Sequence, residues 1–225
     1  MILDILLSDY KRIPIVTRSY CTACFVTTLA VYLEFVGPHQ LYYNPKLLLT
    51  TMQIWRPITC FLFLGKLNFS FFFRLLAVYR CCRMLEEDVF RNRTGDLVFM
   101  LAFCGFFILL ANCFLGSAFL AQSFLMSMIY LWCRNRWYRF INLHLIGQIA
   151  FPALFLPLII LLISMVLYKS ACMANLLGIL VGHLYFFFDG VFPQLGHGFQ
   201  VLRTPRFLRK IFDEHREPFT EPAMN

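Results

Sequence analysis

From Leu97 to Cys133 the chain carries no Asp, Glu, Lys or Arg. That run is too long for one membrane-crossing helix, which needs about 20 residues, and suits two short ones. Its polar and small residues cluster at Ala111 to Ser117 (ANCFLGS), so a hairpin is expected to turn there. Further uncharged runs cover Phe140 to Tyr168 and Ser170 to Phe188. Ser19 to Val36 is apolar apart from Glu34, and Phe69 to Cys82 is interrupted by Arg74. These runs predict six spans, near 19–36, 68–83, 97–113, 117–133, 148–168 and 171–191. Lipid offers exposed backbone groups no partner, so each span must be a helix. The expected fold is an all-α membrane bundle over residues 1–202, with a short tail at 203–225.

Composition excludes the soluble alternative. Hydrophobic residues make up 60% of the chain, against about 45–50% in soluble domains. Charged residues are only 14%, and Phe alone numbers 27. A soluble globule of this length has no core large enough to hide that surface. With six spans both termini share one side. All the Lys and Arg lie on that side except Lys46, Arg56, Lys66, Lys169 and the intraspan Arg74. Basic residues gather in cytosolic loops, so the termini are expected in the cytosol. The net charge of +8 then belongs beside anionic headgroups and needs no nucleic acid.

Several motifs are weaker than they look. The opening MILDILLSDYKR has Asp4 and Asp9 and no long apolar core before its charges. It does not read as a cleaved signal peptide, so the first span is expected to act as an uncleaved anchor. Sequons stand at Asn68 and Asn92. The topology puts Asn92 in the cytosol and Asn68 at the membrane edge, and neither is expected to carry sugar. The nine cysteines are scattered and read mainly as small buried apolar residues. Cys81 and Cys82, beside Arg80 and Arg83, are candidates for reversible palmitoylation. No Cys or His spacing suits a metal.

Two features remain. Gly178 and Gly182 share one helical face, where small residues let backbones approach closely. In QIWRPIT (Gln53 to Thr59), the Trp55 ring suits a membrane interface. Arg56 can reach a phosphate or a buried carbonyl. Pro57 is expected to stop a continuous helix and turn the chain.

A Trp-Arg pair in the first long loop with GxxxG in the sixth helix resembles the rhomboid superfamily. Six stretches are more narrowly similar to the derlins. They are IPIVTRSY (Ile13 to Tyr20), LYYNP (Leu41 to Pro45), QIWRPIT, YRCCRMLE (Tyr79 to Glu86), GILVGHLYFFF (Gly178 to Phe188) and VFPQ…GFQVLRTPRFL (Val191 to Leu208). Of the derlins, the second vertebrate type is nearest. The resemblance implies a six-helix rhomboid-like bundle in the endoplasmic reticulum membrane, with its first lumenal loop embedded in the lumenal leaflet.

A rhomboid protease needs a serine in a GxSG turn on the fourth helix and a histidine base on the sixth. The chain contains no GxSG. Aligned on Tyr130, the nucleophile position is Met126, and Ser127 is one place off, about 100° around the helix. The histidine position holds Asn175, and His183 lies further along. The oxyanion-stabilising position holds Arg74, where derlins are expected to have an uncharged polar residue. The resemblance therefore implies a pseudoprotease with no cofactor, and disfavours an intramembrane serine protease.

It implies instead a component of endoplasmic-reticulum-associated degradation. Such a protein thins the bilayer locally and assists retrotranslocation of misfolded client polypeptides. Implied partners are a membrane ubiquitin ligase complex and a cytosolic AAA ATPase. The Phe-x-Gly-x-Gly-type box of some relatives is not found (GHGFQ has the wrong order), so contact with the ATPase is expected to be indirect. Homo- and hetero-oligomers both stay open. The segment Trp55, Arg56 and Pro57 is either an interfacial anchor or a client-accepting loop. Arg74 either faces a wet cavity or pairs internally, because a lone intramembrane charge is costly. Asn112, Asn175 and His183 complete the intramembrane polar set. A small-solute transporter is the alternative from another class, kept open by Pro152 and Pro157 in the fifth helix.

Overall fold

The computed structural model describes residues 10–43, 53, 55–116, 120–135, 140–142, 150–167, 169–195, 202 and 204–213. Pro14 caps the first helix, α1 (Ile15–Tyr32). The helix ends where Glu34 turns left-handed at φ 59°. The Phe35 and Glu34 amides then donate back to the Ala30 and Val31 carbonyls at 3.0 and 3.2 Å. This pair of bonds closes the helix, four residues before the expected end. Two short helices follow, α2 (Pro38–Leu41) and α3 (Arg56–Leu62), each with proline in its first turn. Pro57 thus starts a helix and does not break one. Its missing N–H costs nothing there and its fixed φ suits the turn.

Asn68 caps α4 (Phe69–Met84) by accepting the Phe71 N–H at 3.0 Å. A wide helical turn, Leu85–Val89, continues it. α5 (Thr94–Leu115) runs straight through Asn112 and ends at Gly116, which is left-handed at φ 68°. Gly116 lies within the stretch Ala111 to Ser117 where the turn is expected, and glycine takes this left-handed conformation without steric cost. α6 (Ala121–Asn135) comes next.

The all-α expectation needs one correction. β1 (Phe140–Asn142) and β2 (Ala150–Pro152) form an antiparallel pair, with Ile141 opposite Phe151. The fifth long helix, α7 (Leu156–Leu167), begins well after the expected residue 148. Pro152 lacks a helical N–H donor, whereas Pro157 is tolerated in the first turn. α8 (Lys169–Phe186) continues through a wide turn, Phe187–Val191, and α9 (Arg206–Asp213) closes the described chain.

Among the described residues, α1, α5 and the stretch Cys172–Gln194 are long and apolar enough to cross a membrane. Large apolar side chains stand bare on the outer faces, among them Phe72, Leu76, Phe106, Leu110, Leu162 and Val166. Water does not tolerate such a surface and lipid does. The molecule is a multi-pass membrane protein built on a helical bundle.

α6 is its axis. Nearly every residue from Ala121 to Cys133 is buried, with α4, α5, α7 and α8 packed around it. Two ends can be told apart. At one, α2 and α3 cap the bundle, and the Leu120 N–H donates to the Cys60 carbonyl at 3.2 Å. At the other, the buried Glu86 carboxylate accepts the Val16 N–H, the Thr17 N–H and the Thr17 hydroxyl at 3.3, 3.0 and 2.9 Å. A distant side chain thus caps α1, with its negative charge at the positive helix end.

α9 packs against α5. A Cβ on Gly95 would lie 3.1 Å from the Arg209 Cα, so the two backbones are in contact. Asp96 accepts from Arg93 at 2.7 Å and from Arg209 at 3.3 Å.

Candidate functional site

The Trp-Arg segment is a clamp. Arg56 is buried, although it opens a short helix near one end of the bundle. Its Nη1 donates to the His39 and Tyr42 carbonyls, both at 3.0 Å. Its Nε donates to Gln53 Oε1. The guanidinium also stacks over the Tyr42 ring at 5.2 Å. Of the two partners open to it in the sequence, phosphate or carbonyl, the structure supplies carbonyls. The clamp ties α2 to α3, and the Tyr20 hydroxyl donates to the Phe61 carbonyl at 2.9 Å, tying α3 to α1. Trp55 is the opposite case. It is 54% exposed and Ile58, one turn on, is 65% exposed. Together they form a bare apolar face beside a buried cation.

Arg56→Ala would leave two carbonyls, of His39 and the half-buried Tyr42, without their donor. We expect it to cost about 3 kcal/mol, since each bond to a charged donor is worth roughly 1.5–3. The unfolding midpoint of the purified protein checks this. Arg56→Lys should recover part of the loss, because an ammonium still donates but lacks the planar fork.

The GxxxG face lies against α6. A Cβ on Gly178 would meet the Ser123 carbonyl oxygen and stand 2.7 Å from Met126 Cβ. One on Gly182 would lie 3.0 Å from the Tyr130 ring. Close approach of α8 places Asn175 against Gln122, whose Nε2 donates to Asn175 Oδ1 at 3.0 Å. Asn175 in turn donates to Ser164 Oγ on α7 at 2.6 Å. Asn175 is fully buried, and this chain of bonds joins α6, α7 and α8.

A groove opens between α4 and α7 over α6. It holds a cavity of about 540 Å³ lined by Phe73, Arg74, Gln122, Met126, Ile160 and Ser164, among others. A smaller cavity of about 110 Å³ adjoins it, bounded by Leu64, Gly65, Arg74 and Gln122. Arg74 borders both. Its Nη1 donates to the Leu64 carbonyl at 2.8 Å. Arg74 thus bonds internally and lines a cavity.

The residues nearest the protease positions have other partners. Ser127 is buried and its hydroxyl donates to the Phe124 carbonyl at 2.7 Å. His183 Nδ1 lies 2.7 Å from the Tyr130 hydroxyl, in hydrogen-bond contact. Asn112 is buried within α5. Cys81 and Cys82 are buried too, with Cys82 Sγ 3.6 Å from Met128 Sδ on α6. Burial withholds both thiols from an acyl donor, so palmitoylation there would require α4 to open away from α6. Among the described residues no group of three or more His, Cys, Asp or Glu is placed to hold a metal.

Sequence reasoning missed Gln122, Ser164 and the capping role of Glu86. The signal for the first was present, since Gln122 is the single Gln in the uncharged run from Leu97 to Cys133. Nothing local marks Glu86, whose partners are some seventy positions away.

Comparison with known proteins accounts for this arrangement. The model of the Der1-like family matches residues 13–206. Derlin-2.2 of Zea mays is 35% identical over 224 residues, covering 95% of this chain and 88% of that protein. Derlin-2.2 of Arabidopsis thaliana is 35% identical over 214 residues, 90% of this chain and 86% of that one. Derlin-1 of Arabidopsis thaliana is 37% identical over 204 residues, 90% and 75%. The match takes in the Arg56 clamp, the groove and the Gly178 face, and the chain therefore belongs to the Der1-like family, resembling the derlin-2 type within it.

Proposed function

We propose that this derlin is a non-catalytic component of endoplasmic-reticulum-associated degradation. It spans the membrane six times with both termini in the cytosol and the Arg56 end toward the lumen. It helps misfolded lumenal or membrane polypeptides return to the cytosol. The observation that carries this reading is the shortness of the helices beside the groove. α7 has 12 described residues and α6 has 15, which at 1.5 Å per residue gives roughly 18 and 22 Å. A typical hydrocarbon core is about 30 Å thick. Short helices draw the bilayer thinner around them. A polar segment crossing there leaves water over a shorter length.

The groove gives such a segment a polar floor at Gln122 and Ser164. Trp55 and Ile58 form an apolar surface on α3, at the end of the bundle that α2 and α3 cap. The Arg56 clamp holds that surface in place. The energy for extraction comes from partners, a membrane ubiquitin ligase complex and a cytosolic AAA ATPase contacted indirectly. The partners of Ser127 and His183 argue against peptide-bond cleavage, which needs a hydroxyl delivered to a base.

Rescue tests the reading. Cells without their own derlins should again degrade a misfolded lumenal reporter when given this chain. Trp55→Ala removes an exposed ring and should leave stability nearly unchanged. We expect it to slow reporter loss several-fold at equal abundance. Full rescue by this variant would take the exposed face out of the mechanism.

A further inference from the structure

We propose that the groove between α4 and α7 selects polypeptide segments that carry a carboxylate at the depth of Arg74. The inference rests on the reading of this groove as a client path and names the chemistry it prefers. The chain builds a fixed position for the guanidinium. α3 ends at Leu62, and Gly65 turns the backbone at φ 122°, presenting the Leu64 carbonyl to Arg74. A Cβ on Gly65 would stand 3.2 Å from Nη1, so the loop fits closely around the cation.

That bond uses one of five donors. Among the described residues no carboxylate pairs with Arg74. Arg74 is exposed and lines both the larger and the smaller cavity. The other groove-lining polar residues on α4, α6 and α7 are neutral, namely Ser70, Gln122 and Ser164. They can bond a peptide but cannot balance its charge.

Arg74 lies about 8 Å along α4 from its first residue, within the span. A lone cation at such depth is unfavourable, and so is a lone carboxylate. Bringing them together relieves both, and the planar fork donates two parallel bonds to a carboxylate. The same charge repels a Lys-bearing segment, so discrimination has an attractive and a repulsive side. A misfolded membrane protein whose acidic intramembrane residue has lost its own partner is the class of client this chemistry recognises.

The test uses the purified full chain in lipid nanodiscs and one apolar transmembrane peptide in three versions. These carry Asp, Asn or Lys at the position that reaches the depth of Arg74. The Asp peptide should bind about tenfold more tightly than the Asn peptide, as one charge-assisted interhelical contact allows. Arg74→Gln should abolish that difference. Arg74→Glu should turn the preference toward Lys. An Asp preference that survives Arg74→Gln, or equal affinities for Asp and Asn in the unaltered protein, would overturn the inference while leaving the client groove intact. Failure of all three peptides to bind would remove the groove reading and this inference together. Helical content and unfolding midpoint of each variant confirm that the comparison is between folded proteins.

Discussion

Gly178→Ala is expected to destabilise the bundle by about 3 kcal/mol, at the upper end of what overpacking costs. The new methyl would fall on the Ser123 carbonyl oxygen and within 2.7 Å of Met126 Cβ. The carbonyl is helix backbone and cannot rotate aside, so α8 must move away from α6. That motion would also stretch the Gln122–Asn175 bond that joins the two helices. Gly182→Ala is the internal control. Its Cβ would meet the Tyr130 ring at 3.0 Å and the Ser127 carbonyl at 3.1 Å, distances that small shifts relieve. We expect about 1 kcal/mol there. Unfolding midpoints of both variants in one detergent decide the matter. Equal losses would mean that the tight contact is not centred on Gly178.

Glu86→Ala should be comparably damaging, at about 3 kcal/mol. It strips a buried acceptor from two helix N–H groups and one hydroxyl. Water cannot replace it easily, because Thr17 and Glu86 are both buried. For a chain of this length that loss corresponds to a fall in Tm of roughly 6–12 °C. Glu86→Gln keeps one acceptor oxygen but turns an NH₂ toward a donor, so an intermediate loss is expected. Amide exchange at Val16 and Thr17 should speed up in both variants before the rest of α1 changes. Protection that persisted at those amides would show that something other than Glu86 caps the helix.

The contrast between these two sites explains which parts of the molecule were legible beforehand. Gly178 and Gly182 announce themselves by spacing, since two small residues one turn apart mean close approach to something. Spacing does not say to what, and only the structure names Ser123 and Met126. Glu86 gives no such sign, because its meaning lies in the first turn of α1. Arg56 stood out as a cation in an apolar setting, yet its three acceptors come from Gln53, Tyr42 and His39, the last of them 17 positions earlier. Helix ends moved for local reasons: a left-handed Glu34, a left-handed Gly116, a proline pair around α7. Such ends depend on one or two residues, while the existence of a helix depends on a dozen.

By itself the sequence determined that this is a multi-pass membrane protein built of apolar helices. Uncharged length and composition carry that information, because lipid admits little else. The tertiary structure alone decided which faces meet. In water an apolar stripe marks the side of a helix that packs. Here the faces turned to lipid and the faces turned to protein are equally apolar, so the pattern cannot separate them. Close contacts, polar partners and the groove beside Arg74 therefore arise only when helices far apart in the chain are brought together.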